Sequence, residues 1–221
     1  PVSGAAYARF LQRWHGIGSH QRGLDRLRTA LEQLEGASLP ASTLEREILP
    51  VRVSDFQPAM LDALMAAGEV AWFGAGRSGR DDGKLVLVSR AALETAAPPL
   101  VEPPSPLHAA LLDALSARGA LFFSDLVATA HAPYAEVLEA LWDLVWAGAV
   151  TNDTLAPVRA LSWGKRSTAA AGRRHINKLP PESAGRWSLV RVSPVDESRA
   201  ALTAAAHARA ETFLDRLGIV T

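Results

Sequence analysis

Four prolines between residues 98 and 104 divide this chain into two halves, and both halves show the same order of predicted elements. Proline fixes φ and has no backbone N–H, so this segment cannot continue a helix and favours extended conformations. We therefore place a domain boundary here. Because the same order of elements occurs before and after this boundary, we expect two small units with the same architecture.

The first half predicts three helices followed by two strands. Leucines at spacings of three and four between residues 24 and 34 indicate an amphipathic helix, a capping pattern begins at Ser42, and an apolar run follows Pro58. The β-rich runs at 70–73 and 85–88 flank a glycine-rich polar segment and indicate a hairpin. Three helices and a hairpin are the elements of a winged-helix domain, whose third helix commonly enters the major groove of DNA.

The second half repeats this order of elements, although not the residues. A helix begins at Pro106, a second at Ser124, and a third covers 134–147. A wing strand begins at Ala149, and its returning strand is expected at 187–190. The segment between those two strands is then a long insertion at the tip of the wing.

The predicted fold class is α+β, mainly helical, with tandem winged-helix domains. We expect the chain to be part of a longer protein. The expected organisation is a connecting helix from a preceding domain at residues 1–20, a first winged-helix domain at 21–97, a second at 98–192 with a basic wing insertion at 162–186, and the first helix of a further winged-helix unit at 193–221.

Charge is unevenly distributed along the chain, although 23 basic residues balance 23 acidic ones. Residues 92–153 carry eight acidic side chains and one basic one, whereas 154–191 carry eight basic side chains and one acidic one. A nucleic-acid backbone is the natural partner of such a basic segment. An exposed loop kept soluble by its charge is the alternative.

The candidate nucleic-acid contacts lie in two basic segments. Trp163 is a candidate for stacking on bases, whereas Trp142, Trp146 and Trp187 are expected in the core. Glu136, on the third helix of the second half, would repel DNA together with the acidic residues 139 and 143, so this helix is a poor reading helix. The candidates are Lys165, Arg166, Trp163, Arg173, Arg174 and Lys178 in the insertion, and Arg77, Arg80 and Lys84 at the tip of the first hairpin.

No catalytic or metal-binding residue is predicted. The pattern GxGxxG at 74–79 leads into a strand rather than a helix, which excludes a dinucleotide-binding turn. The six histidines show no HExxH spacing and are expected on the surface or at helix caps, and the chain has no cysteine. A chain without cysteine is consistent with the cytoplasm, and no apolar run reaches the roughly 18 residues needed to cross a membrane.

The sequence resembles the large helicase-related (Lhr) family of bacterial ATP-dependent helicases. The resemblance covers nearly the whole chain and is weakest at 162–184. Members of that family have a motor that moves 3′ to 5′ on single-stranded DNA, followed by winged-helix modules. The residues that carry the resemblance are 142–159 above all, supported by 121–123, 9–16, 68–74 and 218–221.

The resemblance implies a non-catalytic winged-helix region of a DNA-repair helicase of the bacterial cytoplasm. Its partners would be single-stranded or duplex DNA, an RNA:DNA hybrid, and adjacent domains of the same helicase. ATP and Mg²⁺ belong to the motor alone, because this chain has neither a Walker loop nor a DExH box.

Two alternatives stay open. One is a protein–protein scaffold that forms homo-oligomers without touching DNA. The other is part of a winged-helix DNA glycosylase, which the array resembles in architecture. Those enzymes have a Gln-x-Gln type motif, and the glutamines of this chain, Gln12, Gln21, Gln33 and Gln57, are all isolated.

Overall fold

The fold is α+β and mainly helical, with two three-stranded antiparallel sheets, as the sequence predicts. The computed structural model describes residues 2–79, 81–99, 102–167, 180–191 and 198–218, and for 163–167 it describes the backbone alone. Within these ranges no helix is long and apolar enough to cross a membrane. We call the part before the four prolines the first unit and residues 106–189 the second unit.

The first unit is a winged helix preceded by an extra helix. Its sheet has the order β1-β3-β2, with Trp72 opposite Leu87 in the predicted hairpin. Strand β1 pairs through Leu39 with Leu85 and is not predicted by the sequence. The elements are α1 Gly4–Trp14, α2 Leu24–Glu32, β1 Ser38–Pro40, α3 Ala41–Thr43 with a π-helical continuation at Leu44–Ile48, α4 Pro58–Ala66, β2 Val70–Arg77, β3 Gly83–Ser89 and α5 Leu93–Ala96.

The second unit repeats the winged helix, and its wing is formed by the two predicted strands. Val150 of one strand pairs with Leu189 of the other, and Asn152 pairs with Trp187. A helix follows the first wing strand, so the insertion begins as a helix instead of a loop. The elements are α6 Pro106–Arg118, β4 Leu121–Phe122, α7 Phe123–Ala130, α8 Tyr134–Trp146, β5 Val150–Asn152, α9 Ala156–Ser167 and β6 Arg186–Leu189, followed by α10 Arg199–Leu217.

Both units contribute to one continuous hydrophobic core. Trp72 of the first unit and Trp187 of the second are fully buried and belong to the same cluster of packed side chains. Trp142 and Trp146 are buried as well, and the Trp142 ring lies 5.8 Å from the Trp187 ring. The prediction that these three tryptophans of the second unit lie in the core is confirmed.

Two glycines allow β2 and β3 to lie directly against α8 of the second unit. A Cβ on Gly74 would collide with the backbone carbonyl of Val145, and a Cβ on Gly83 would meet the Trp146 ring 2.5 Å away. The hydroxyl of Thr151 also donates a hydrogen bond to the carbonyl of Trp72. Gly74, the first glycine of the GxGxxG pattern, therefore serves close packing between the units.

The terminal helices α1 and α10 pack against each other beside α2. The Trp14 indole nitrogen donates to the carbonyl of Asp215 at 2.6 Å, and the Tyr7 hydroxyl donates to the carbonyl of Leu217 at 3.1 Å. The Phe10 ring stacks on Trp14, with the centroids 5.7 Å apart. No side chain of either helix is fully buried.

Candidate nucleic-acid interface

The third helix of the first unit, α4, is held by a salt-bridge network from the second unit. Arg159 on α9 contacts Asp62 on α4 through two hydrogen bonds of 2.8 and 2.9 Å. It also contacts Glu45 through two hydrogen bonds of 2.7 Å. Helix α4 carries no basic residue, so it presents no cationic surface to a DNA groove.

The network is a partly buried, charge-assisted arrangement. The side chain of Glu45 is 4% exposed, that of Arg159 is 17% exposed, and that of Asp62 is 39% exposed. Burial lowers the pKa of Arg159, but its hydrogen bonds to the two carboxylates outweigh burial and raise the pKa overall. Arg159 is therefore a fixed cation that links the two units, and it is not available to a phosphate.

The third helix of the second unit, α8, is acidic on its exposed side. Glu136 and Glu139 are exposed, and Asp143 contacts Arg77 of the first unit at 3.0 Å. The second oxygen of Asp143 lies 3.6 Å from His108. Neither third helix thus offers a basic face for the major groove. The sequence indicates this for α8, and the same conclusion now applies to α4.

The three residues of the first hairpin that are predicted to contact nucleic acid have different surroundings in the structure. Arg77, at the end of β2, is engaged with Asp143 of the second unit. Lys84, on β3, is exposed. Arg80 lies outside the described residues. A groove of about 360 Å³ next to Arg77 is lined by three carboxylates, those of Asp81, Glu139 and Glu182, which makes it unsuited to phosphate.

The basic insertion begins within α9. The backbones of Trp163, Lys165 and Arg166 belong to the C-terminal part of this helix, and their side chains are not described. Arg173, Arg174 and Lys178 lie outside the described residues. Of the other basic residues between 154 and 191, Arg159 is in the network above, Arg186 contacts Asp153 at 3.1 Å, and Arg191 donates to the carbonyl of Ala97 at 2.9 Å.

The segment 154–191 therefore has fewer positive charges available for phosphates than its eight basic residues indicate. Three of the eight basic residues have protein partners, and the remaining five are the five basic residues proposed from the sequence. Helix α9 packs against α3 of the first unit, so the start of the insertion has a fixed position.

A second cationic cluster was not predicted. We call it the arginine junction, and it consists of His15, Ser19, Arg26 and Arg52, where the end of α1 meets α2 and the loop after the π-helical segment. Arg26 donates to the carbonyl of Arg52 at 2.9 Å and to that of His15 at 2.5 Å. The sequence signal is weak: residues 2–24 contain three arginines and no acidic residue.

His15 and His108 are buried, so they are not surface residues, but both lie at helix caps, the other position expected for the histidines: His15 is the C-cap residue of α1. His108 does act near a helix start, because its Nδ1 lies 2.8 Å from the Ser105 hydroxyl. Among the residues that the structure describes, no group of three or more histidine or acidic side chains is placed to hold a metal ion.

Comparison with known proteins places the chain in a family. A model of the winged-helix domain of the large helicase-related protein matches residues 2–90. A relative from Mycolicibacterium smegmatis named "Lhr helicase/probable uracil glycosylase" is 40% identical over 242 aligned positions that include the whole of this chain. The chain belongs to the large helicase-related (Lhr) family.

A second Lhr relative, from Escherichia coli, is named "Lhr helicase/uracil glycosylase" and is 33% identical, again over the whole of this chain. The chain spans only 16% and 17% of the lengths of these two Lhr proteins. The family match begins at residue 2 and therefore includes α1, whose residues are predicted to form a connecting helix. The domain boundaries at 21–97 and 98–192 stay predictions.

Proposed function

We propose that this chain is a non-catalytic winged-helix module of an Lhr-type helicase, which holds nucleic acid by its backbone and positions neighbouring domains. The observation that carries the proposal is the Arg159 network with Glu45 and Asp62. It fastens α9 to the first unit, and α9 leads directly into the basic insertion. A basic segment that starts from a fixed point is suited to hold phosphates in a defined place.

Binding in this proposal is independent of base sequence. Contacts to phosphates position a protein on nucleic acid, whereas contacts to base edges read the sequence. Asp62 on α4 and the acidic face of α8 disfavour base reading by either third helix. The five basic residues of the insertion, with Lys84 and Arg80, would supply the phosphate contacts, and Trp163 would stack on a base.

A wider proposal concerns the function of the longer protein of which this chain would be a module. It would be an ATP-dependent 3′–5′ helicase that acts in DNA repair in the bacterial cytoplasm, with ATP and Mg²⁺ at its motor domains. This module would contact single-stranded or duplex DNA, or an RNA:DNA hybrid, together with adjacent domains of the helicase.

The test is fluorescence anisotropy of labelled single-stranded and duplex DNA across a salt series. One variant changes Lys165, Arg166, Arg173, Arg174 and Lys178 to Ala. The control variant removes the same number of charges at exposed positions elsewhere, namely Arg46, Arg90, Arg118, Arg199 and Arg209.

The insertion variant should bind more weakly and with a flatter salt dependence, whereas the control should keep the slope of the unmodified chain. Each lost phosphate contact lowers the slope of log K against log salt by about 0.9 on duplex DNA and about 0.7 on single strands. Equal weakening in both variants would mean that only total charge matters and would contradict a defined site. An absence of binding at low salt would refute the nucleic-acid role.

A second candidate function is protein association, and exposed apolar side chains on the terminal helices favour it. Phe10 and Trp14 on α1 are 38% and 40% exposed, and Phe213 and Leu214 on α10 are 45% and 49% exposed. The acidic face of α8 is the other candidate surface for a homo-oligomer. A mass in solution above 23.5 kDa that falls when Leu214 is changed to Glu would assign association to the terminal helices.

The names of both relatives include uracil glycosylase for the whole proteins. We propose no base excision by this segment, because the glutamines of the glycosylase motif are not paired in its sequence. Incubation of the chain with a uracil-containing oligonucleotide should leave the oligonucleotide intact. Abasic product from this chain alone would overturn that part of the proposal.

A further inference from the structure

We propose that the arginine junction is a second binding site for the nucleic-acid backbone and holds one phosphodiester group. This inference rests on the proposed nucleic-acid binding and adds a site on a different part of the surface. It is carried by the arrangement of His15, Ser19, Arg26 and Arg52.

The two guanidinium groups are held together by backbone carbonyls. Arg26 is 9% exposed and bridges the carbonyls of Arg52 and His15 through its Nε and Nη2 atoms. Arg52 is half-buried, and its Nη1 donates to the carbonyl of Ile48 at 2.7 Å. Gly16 leaves room for this packing, since a Cβ there would meet Nη2 of Arg26 at 2.5 Å and the Ser19 hydroxyl at 3.2 Å.

Several polar atoms in the junction have no hydrogen-bond partner among the described residues. Nε of Arg52 and the hydroxyl of Ser19 are buried donors without an acceptor in the part of the chain that the structure describes. Nδ1 of His15 is buried without a partner there as well, but the His15 ring hydrogen-bonds the backbone of Arg216, so Nδ1 is an acceptor in the neutral ring. Buried donors without acceptors are uncommon and cost free energy. Two such donors beside one pair of guanidinium groups indicate that an acceptor with several oxygens belongs there.

No carboxylate neutralises the junction within the part of the chain that the structure describes. The ion pairs found there involve neither Arg26 nor Arg52. The nearby Asp55 accepts a hydrogen bond from the backbone of Gly23 at 2.9 Å. Among the described residues, the two guanidinium groups therefore share a partly buried place without a carboxylate counter-ion.

The electrostatics agree with this geometry. Burial lowers the pKa of Arg26, and burial together with the charge of Arg26 lowers that of Arg52. Burial, followed by the charge of Arg52, lowers the pKa of His15. An anion in the junction would favour all three charged forms, whereas in its absence they repel one another.

A phosphodiester fits this donor set better than a neutral ligand. Guanidinium groups bind phosphate oxygens through paired hydrogen bonds. Arg13 and Arg22 are exposed on the same segment, and residues 2–24 contain no acidic residue to repel a polyanion. Inorganic phosphate shares the chemistry, so the experiment separates the two sources.

The experiment uses the whole chain and two substitutions. Arg52→Gln removes one guanidinium group, and Ser19→Ala removes a hydroxyl that has no hydrogen-bond partner in the described part of the chain. The control is Arg90→Gln, which removes an exposed arginine from the same unit. Binding of a labelled single-stranded oligonucleotide is measured across a salt series, and thermal unfolding is followed with and without inorganic phosphate.

We expect Arg52→Gln to flatten the salt slope by about 0.7 and to weaken binding roughly tenfold at 0.05 M salt, and Arg90→Gln to do neither. Ser19→Ala should weaken binding and leave the melting temperature unchanged or higher, because an unsatisfied buried hydroxyl is removed. A purely structural junction would instead show lower melting temperatures and unchanged binding.

The failures can be told apart. If the chain binds DNA but both junction variants bind as Arg90→Gln does, the junction is not a contact, and the proposed function survives. If the unmodified chain binds no DNA, the proposed function fails and this site fails with it. Stabilisation by inorganic phosphate without any change in DNA affinity would make the junction a site for free phosphate, which also overturns the proposal.

Discussion

Removal of Arg159 should destabilise the whole chain, because this side chain neutralises a buried carboxylate of the other unit. Arg159→Ala leaves Glu45, whose side chain is 4% exposed, without its counter-ion. Breaking a buried ion pair by removing one partner costs about 3–5 kcal/mol. Coulomb attraction at about 4 Å and an effective dielectric constant of about 20 gives a similar figure, about 4 kcal/mol.

The two carboxylates should not contribute equally. The side chain of Asp62 is 39% exposed, so water screens its share of the network. We expect Asp62→Ala to cost about 1 kcal/mol and Arg159→Ala about 3 kcal/mol, the lower end of the range because Arg159 is itself partly exposed. Replacing Arg159 and Glu45 together by Met should restore the stability to within about 1 kcal/mol, because no buried charge remains unpaired and the Asp62 carboxylate, 39% exposed, is left to solvent.

Urea unfolding followed by tryptophan fluorescence gives these free energies. The matched control is Arg186→Ala, since Arg186 and Asp153 form a surface pair with side chains 57% and 44% exposed. It should cost less than about 0.5 kcal/mol. A loss below about 1 kcal/mol for Arg159→Ala, or an equal loss for Asp62→Ala, would refute the reasoning.

Three further changes test the packing and the buried charge. Gly74→Ala should lower the free energy of unfolding by more than about 2 kcal/mol because its Cβ collides with the α8 backbone, whereas Gly79→Ala, where a Cβ meets nothing within 4 Å, should change little in the same urea titration. Trp187→Ala removes a fully buried ring and should cost about 3–5 kcal/mol, and a loss below 2 kcal/mol in calorimetry would contradict its place in the core. Burial, then the charge of Arg52, lowers the pKa of His15 below 6.5, so the unfolded chain takes up a proton first and stability falls as the pH drops below about 6.5. His15→Gln should reduce this loss between pH 7.5 and 5.5, and an unchanged pH dependence would refute it.

Local patterns in the sequence predicted most of the helices and the second wing. The leucines between residues 24 and 34 repeat with the period of a helix, and the observed α2 covers 24–32. The spacing of Trp142 and Trp146 by four residues likewise placed both rings on one buried face. Such features depend on neighbours within one or two turns, so the residues themselves carry the information.

Other features depend on residues far apart in the chain, and no local pattern of residues indicates them. Strand β1 covers three residues and ends in proline, and it is a strand because β3 lies beside it. Nothing near Arg159 in the sequence distinguishes it from the other cations of the basic segment, because its partners lie 97 and 114 residues away. The position of His15 beside α10 has the same origin, since its ring hydrogen-bonds the backbone of Arg216 in that helix.

The continuous core has a consequence for the order in which the protein is synthesised. Glu45 leaves the ribosome 114 residues before Arg159 does. At a synthesis rate of about 5–20 residues per second, the first unit waits roughly 6–23 seconds for its counter-ion. During that interval the faces of Trp72 and Gly74 that the second unit covers are also open to solvent and to other nascent chains. Slow translation between these two points would lengthen the exposure, so the growing chain is most vulnerable to chaperone capture or aggregation before residue 159 appears.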